Sequence, residues 1–234
     1  MLRNAPAEAV KLPSQNKVLP WSYSSLTAFE TCPRRYHITR IAKLVKEPQT
    51  TATIHGNEVH KALEDAVSGK AKLAPKYADY SGIVERIRAA KGKKLVEQKF
   101  ALTSSFKPTD FFAPNAWVRG VVDVAIINPT SAVVLDYKTG KVKLDQDQLK
   151  LFAATTFALH PYVETVKTGY VWLAFNRIDT KDFSRLDCPS VWDSFLPRVK
   201  RLTHALEQDE FLPKPSGLCK SWCPVGRSLC EFCG

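Results

Sequence analysis

An α/β fold with a central mixed sheet flanked by helices is what this sequence predicts, on three observations. Amphipathic and apolar patterns fall in the order helices, strands, helix, strand, helix, which is the order of a layered α/β domain. From Val118 to Gly140 the chain reads VRGVVDVAIINPTSAVVLDYKTG, two runs of Val, Ile and Ala around a turn cluster of Asn128, Pro129, Thr130 and Ser131. That is the pattern of a β-hairpin. The last stretch, residues 211–234, is too rich in Pro, Gly and Cys for a helix or strand of any length, and must take its order from another source.

The 234 residues suffice for one domain with a substantial core. Hydrophobic content of 44% and charged content of 24% are those of an ordinary globular chain. The first twenty residues carry three prolines and no continuous apolar core, so a mobile N-terminal arm is expected over 1–20 and a single domain over 21–234. With neither a signal sequence nor an apolar run of spanning length, the expected compartment is intracellular, the cytoplasm, and no membrane partner is implied. A formal net charge of +11 suits a polyanion, since Lys and Arg that neutralise phosphates release counterions. Two local clusters add to it: Arg34, Arg35, Arg40, Lys43 and Lys46, then Arg86, Arg88, Lys91, Lys93, Lys94 and Lys99. Such groups hold a nucleic-acid backbone without reading its sequence.

The elements follow in order. WSYSSLTAFETCPRRYHITRIAKL predicts a helix capped at Ser22 or Ser24 and disturbed at Pro33, which leaves Cys32 at a helix end. Val59, Leu63, Ala66 and Val67 have the spacing of an amphipathic helix over Thr53 to Ser68, with His60 and Glu64 together beside the stripe. A loop over Ser68 to Gly82 leads to a basic helix near Ile83 to Ala90. KLVEQKFAL is a strand that holds Glu97, either a solvated strand residue or a further acid for the site. After the hairpin, a helix runs from a cap near Asp145 to His160, with Gln148 near its start. VETVKTGYVWLAF is another strand, and SVWDSFLPRVKRLTHALEQ a last helix in which Pro197 belongs in the first turn or at a kink.

The hairpin carries the chemistry. With its turn centred between Pro129 and Thr130, cross-strand partners have numbers summing to 259, so Asp123 faces Asp136. Carboxylates so opposed repel unless something compensates them. A divalent cation such as Mg²⁺ or Mn²⁺ does so, because it takes hard oxygen ligands. Lys138 shares the Asp136 face by the period of two, and a neutral His60 is a suitable third ligand. Of the six cysteines, Cys219, Cys223, Cys230 and Cys233 crowd the tail, Cys32 stands near the start and Cys188 alone. In an intracellular chain this predicts metal ligands, or buried apolar fillers, rather than disulfides. Cys32 with Cys219, Cys223 and Cys230 makes a tetrathiolate that ties the two ends together, for zinc or an iron–sulfur cluster. One distant Cys plus a C-terminal group, rather than two paired knuckles, favours 4Fe–4S. Cys233 can replace Cys230, or with the other tail cysteines make a local zinc site.

With these elements assembled, the chain resembles the PD-(D/E)xK nuclease superfamily, in its RecB-like branch with CRISPR-associated and phage relatives. The matching stretches are GNEVH ending in His60, RGVVD ending in Asp123, DYKTG carrying Asp136 and Lys138, and QLKLF beginning at Gln148. The cysteine arrangement resembles the iron–sulfur variants, including AddB-type helicase–nuclease subunits. There are departures. Phe152 stands where the family often has Tyr, the first acid is separated from Pro, and the tail has one Cys more. No phosphate-binding motor motif is present, so a helicase or recombination partner is a separate protein if one is needed.

The resemblance implies a restriction-endonuclease-like core and metal-dependent hydrolysis of DNA. Asp123, Asp136, His60 and the Tyr137 carbonyl would hold Mg²⁺ or Mn²⁺, Lys138 would position water or stabilise the transition state, and Gln148 would support them. The expected activity is an exonuclease on single strands or frayed ends, in recombination, repair or CRISPR adaptation. The alternatives are a structure-specific endonuclease and a non-catalytic DNA-binding adaptor with a zinc-bound tail.

Overall fold

The structure, a computed structural model, describes residues 19–142 and 145–234. The arm expected over 1–20 thus lies, but for Leu19 and Pro20, outside the described residues. The helices are α1 (Tyr23–Thr31), α2 (Pro33–Tyr36), α3 (Thr51–Val67), α4 (Ser81–Ala89), α5 (Asp147–Leu159) and α6 (Cys188–Gln208). The strands are β1 (Lys93–Leu102), β2 (Val118–Ile127), β3 (Ser131–Lys138), β4 (Thr165–Trp172) and β5 (Arg177–Ser184). The described residues fall into two compact units, one within 20–26 and 48–200, the other of residue 19 with 27–47 and 201–234.

The larger unit contains the sheet, in the order β1-β2-β3-β4-β5. Only β3 and β4 pair in parallel, and the other neighbours are antiparallel, so the sheet is mixed. A parallel pair needs a long crossover, and α5 is the helix between these two strands. Helix α3 starts at Thr50, whose hydroxyl accepts the Thr53 N–H. Its apolar stripe of Val59, Leu63, Ala66 and Val67 is buried against Val124, Ile126, Leu135 and Tyr137, with α4 beside it through Ile83, Val84 and Ile87. Phe152 of α5 meets Phe100 of β1 edge-on, at 6.4 Å between ring centroids. An aromatic cluster joins Trp21 and Trp117 to Trp192 and Phe195 in the first part of α6.

One element differs from expectation. The sequence RIDTKDFS carries no clean apolar alternation, yet it forms β5, because an edge strand needs only one neighbour and Phe183 alone is fully buried. Of the two places expected for Pro197, the first turn is ruled out, since it lies inside α6.

The smaller unit has its own small core, in which Ile38, Val225, Cys230 and Cys233 are buried together with Cys223 and Val45 against them. His37 stacks on Phe211 with centroids 4.4 Å apart, and Arg34 Nε donates to the Phe211 carbonyl at 3.1 Å. The tail is a series of turns without helix or strand, as its composition predicts. Among the described residues no helix is long and apolar enough to cross a membrane.

Candidate active site

The predicted hairpin register is the one observed: Val124 pairs with Leu135, Ala125 with Val134, Ile126 with Val133 and Ile127 with Ala132, each pair summing to 259. The ladder stops one step short of Asp123 and Asp136. There the Asp123 carboxylate takes over the pairing, and its Oδ2 accepts the Tyr137 N–H at 2.6 Å. The other oxygen, Oδ1, is 3.3 Å from His60 Nδ1, so α3 delivers the imidazole predicted from its sequence.

On the other side of β2 the β1 ladder is interrupted at the same level. Val96 pairs with Val124 and Gln98 with Val122, while Glu97 between them adopts a φ of +50°. A non-glycine residue in that region carries strain, which persists where surrounding structure imposes it. The result is a compact donor group in which one atom each of His60, Glu97 and Asp123 lie within 4.8 Å of one another. These are ligand types for a hard divalent cation, and Glu97, one of two open readings from the sequence, joins the site.

Asp136 stands beside this group with different partners. Gln148, in the first turn of α5, donates from Nε2 to Asp136 Oδ1 at 3.0 Å and accepts at Oε1 from Lys138 Nζ at 2.9 Å. Lys138 Nζ lies 2.6 Å from Asp136 Oδ2, but outside hydrogen-bonding geometry, so that buried oxygen accepts no hydrogen bond. The Lys138 ammonium also sits over the Tyr170 ring, 4.9 Å from its centroid. Tyr170 is level with Asp136 in the parallel β3–β4 pair. Sequence reasoning missed it, because nothing in the local pattern of β4 tells its register against β3. Phe152 is buried in the core and brings no hydroxyl to the site.

Burial pushes the Asp136 carboxyl up to about 6, the nearby Lys138 charge pulling against it and that of Asp123 adding to it. Burial also raises Glu97, with the Asp123 charge in the same direction. For His60, burial favours the neutral ring, yet the hydrogen bond to Asp123 and its charge prevail, and the imidazole titrates above its ordinary value. Carboxyls and an imidazole that all titrate above their ordinary values mark a group with a surplus of negative charge. Together with the buried Asp136 Oδ2, which has the Lys138 ammonium beside it but accepts no hydrogen bond, and the His–Glu–Asp donor set, this fits a divalent cation.

The cysteines belong to the smaller unit, except Cys188. Cys233 is buried beside Cys223 and Cys230, and burial ahead of these neighbours pushes its thiol up to about 12. Cys32 Sγ accepts the Lys214 N–H at 3.5 Å, and Cys219 Sγ the Ser216 N–H at 3.3 Å. Among the described residues no three cysteine sulfurs lie mutually within 4.8 Å. A zinc tetrahedron with 2.3 Å bonds needs them about 3.8 Å apart. Of the two basic clusters, the first is partly neutralised, since Arg35 and Arg40 both pair with Glu47.

An Asp-x-Lys strand, a second Asp beside it and a mixed sheet with helices on both faces define the class of a nuclease. The chain belongs to the PD-(D/E)XK nuclease superfamily, whose family model matches residues 20–231. No curated protein matches the sequence. Among solved structures, a protein from Eubacterium rectale named "Putative exonuclease" is 13% identical, covers 90% of this chain and 92% of its own, and superposes with a TM-score of 0.53. The protein SSO0001 is 15% identical over 96% of this chain and 90% of its own, with a TM-score of 0.47. At such identities the first likeness shows the fold alone.

Proposed function

We propose that this nuclease is a divalent-metal-dependent DNA exonuclease of the RecB-like branch that degrades single strands or frayed ends, working as one nuclease domain over residues 21–234. The observation that carries the reading is the linked pair of groups at the β2–β3 splay: His60, Glu97 and Asp123 on one side, and Asp136 with Lys138 and Gln148 on the other. His60, Asp123, Asp136 and the Tyr137 carbonyl, with Glu97 as a further donor, would hold Mg²⁺ or Mn²⁺, which when bound would supply Lewis-acid chemistry for water activation and charge neutralisation at the scissile phosphate. The chain's own residues do the rest. Gln148 holds the Lys138 ammonium and the Asp136 carboxylate at fixed distance, so that a phosphate oxygen meets a positioned cation rather than a mobile one. The Tyr170 ring confines that ammonium from the other side.

The exonuclease reading is supported by the resemblance and by the name of the Eubacterium rectale neighbour. Four cysteines, Cys32, Cys219, Cys223 and Cys230, would hold a structural 4Fe–4S cluster, which the sulfur-directed backbone N–H groups at Cys32 and Cys219 suit. The host process would be recombination, repair or CRISPR adaptation, in a cell or a phage, with DNA as the partner and any helicase a separate chain. The test is a pair of single-stranded substrates of one sequence, linear and covalently closed. The linear form is consumed and the circle survives, whereas cutting of the circle would make the protein an endonuclease.

A further inference from the structure

Along β2, Val118 and Val122 are buried, and the Phe100 ring fills the place of a Gly120 side chain, 2.6 Å from where its Cβ would be. The alternate residues Arg119 and Val121 therefore face the other way, on the side that carries Asp123. Val121 is 38% exposed, and its direct partner across the β1–β2 ladder is the exposed Lys99. Beyond them the connection between β1 and β2 folds Phe111 onto this same face. Lys99 Nζ lies 5.6 Å and Arg119 Cζ 5.2 Å from the Phe111 ring centroid. Phe112 meets Phe111 edge-on at 5.0 Å and is 79% exposed, a large ring held over solvent with no covering group.

Among the described residues neither Lys99 nor Arg119 forms an ion pair, so both charges are available. From Asp123 to Arg119 is about 13 Å along the strand, the length of a few nucleotides. Two uncommitted cations and an exposed aromatic ring, in line with the catalytic acids, match the chemistry of an unpaired strand. Lys and Arg take the phosphates, and the ring takes a base face whatever its identity.

We infer that Lys99, Arg119, Phe111 and Phe112 form a platform that holds the single-stranded DNA next to the scissile bond, with Phe112 stacking on a base. This rests on the nuclease reading for its purpose, but its binding is measured without catalysis. Asp110 is the one acid in the connection, exposed and next to Phe111, and it sets no pair with either cation.

The test uses the full chain with a fluorescent 20-mer of oligothymidylate in EDTA, and hydrolysis of bis(p-nitrophenyl) phosphate with Mn²⁺ as a second readout. Phe112→Ala weakens oligonucleotide binding roughly tenfold, and Phe112→Trp restores it. Lys99→Ala lowers the slope of log affinity against log salt by about 0.7. Phe175→Ala, at another exposed ring, in the β4–β5 connection, changes neither. The small phosphodiester, too short to reach the platform, is hydrolysed by Phe112→Ala as by the wild type. Unchanged oligonucleotide affinity in Phe112→Ala overturns the platform, as does an equal loss for blunt duplex of the same length. If the wild type hydrolyses no phosphodiester while the binding pattern holds, the nuclease reading fails and the platform stands.

Discussion

Asp136 is buried, with one carboxylate oxygen that accepts no hydrogen bond and an ammonium beside it. Its folded pKa of about 6 lies above the ordinary carboxylate value, so between the two the folded state holds a proton that the unfolded state has lost. Raising the pH across this window then destabilises the metal-free protein. His60 acts with the same sign: its raised pKa stabilises the fold while the ring is charged, and this is lost as pH rises through that value. In EDTA, the melting temperature of the wild type is expected to fall between pH 4.5 and 7 relative to Asp136→Asn. Added Mn²⁺ reverses the loss at pH 7 and does little at pH 4.5, where protons hold the ligands. Parallel melting curves for the two proteins in EDTA would contradict the assignment.

At the level of the strands, the β2–β3 register was legible because a strong turn cluster centres it and the apolar alternation leaves one solution. The stop of that ladder at Asp123 was not, since it depends on a carboxylate displacing a strand partner, which no pattern of residue types announces. Nor was the left-handed Glu97, a strained residue inside an otherwise regular strand. Strain of this kind predicts a trade. Glu97→Gly relieves the backbone and the repulsion from Asp123, and raises stability in EDTA by about 1 kcal/mol despite glycine's entropy. It also weakens Mn²⁺ binding at least tenfold by calorimetry. A variant that is less stable and binds Mn²⁺ as before would show that the φ of Glu97 has another origin. Strand β5 was missed for the opposite reason, being an edge strand whose polar residues hide its period.

For the whole molecule, the sequence placed both groups of chemistry-bearing residues, the hairpin acids and the tail cysteines, while the pairing of individual cysteines lay beyond it. The structure puts Cys233 against Cys223 and Cys230, and the sequence left open which of Cys230 and Cys233 is the fourth ligand. Cys32→Ala and Cys230→Ala are expected to lose iron and thermal stability together, and Cys233→Ala to keep its iron. Full iron content in Cys32→Ala would exclude that residue as a ligand, and iron loss in Cys233→Ala with retention in Cys230→Ala would exchange the two.

Whether the splayed hairpin is a metal-dependent phosphodiesterase site is decided by cleavage of end-labelled DNA, single-stranded and duplex, by anaerobically purified protein, with Asp136→Ala alongside and iron measured on the same samples. Degradation is expected to require Mg²⁺ or Mn²⁺ and to disappear in Asp136→Ala, with DNA binding by that variant largely intact. Binding without cleavage, in wild-type protein with its iron in place, would contradict that expectation and leave a DNA-binding adaptor built on a nuclease fold.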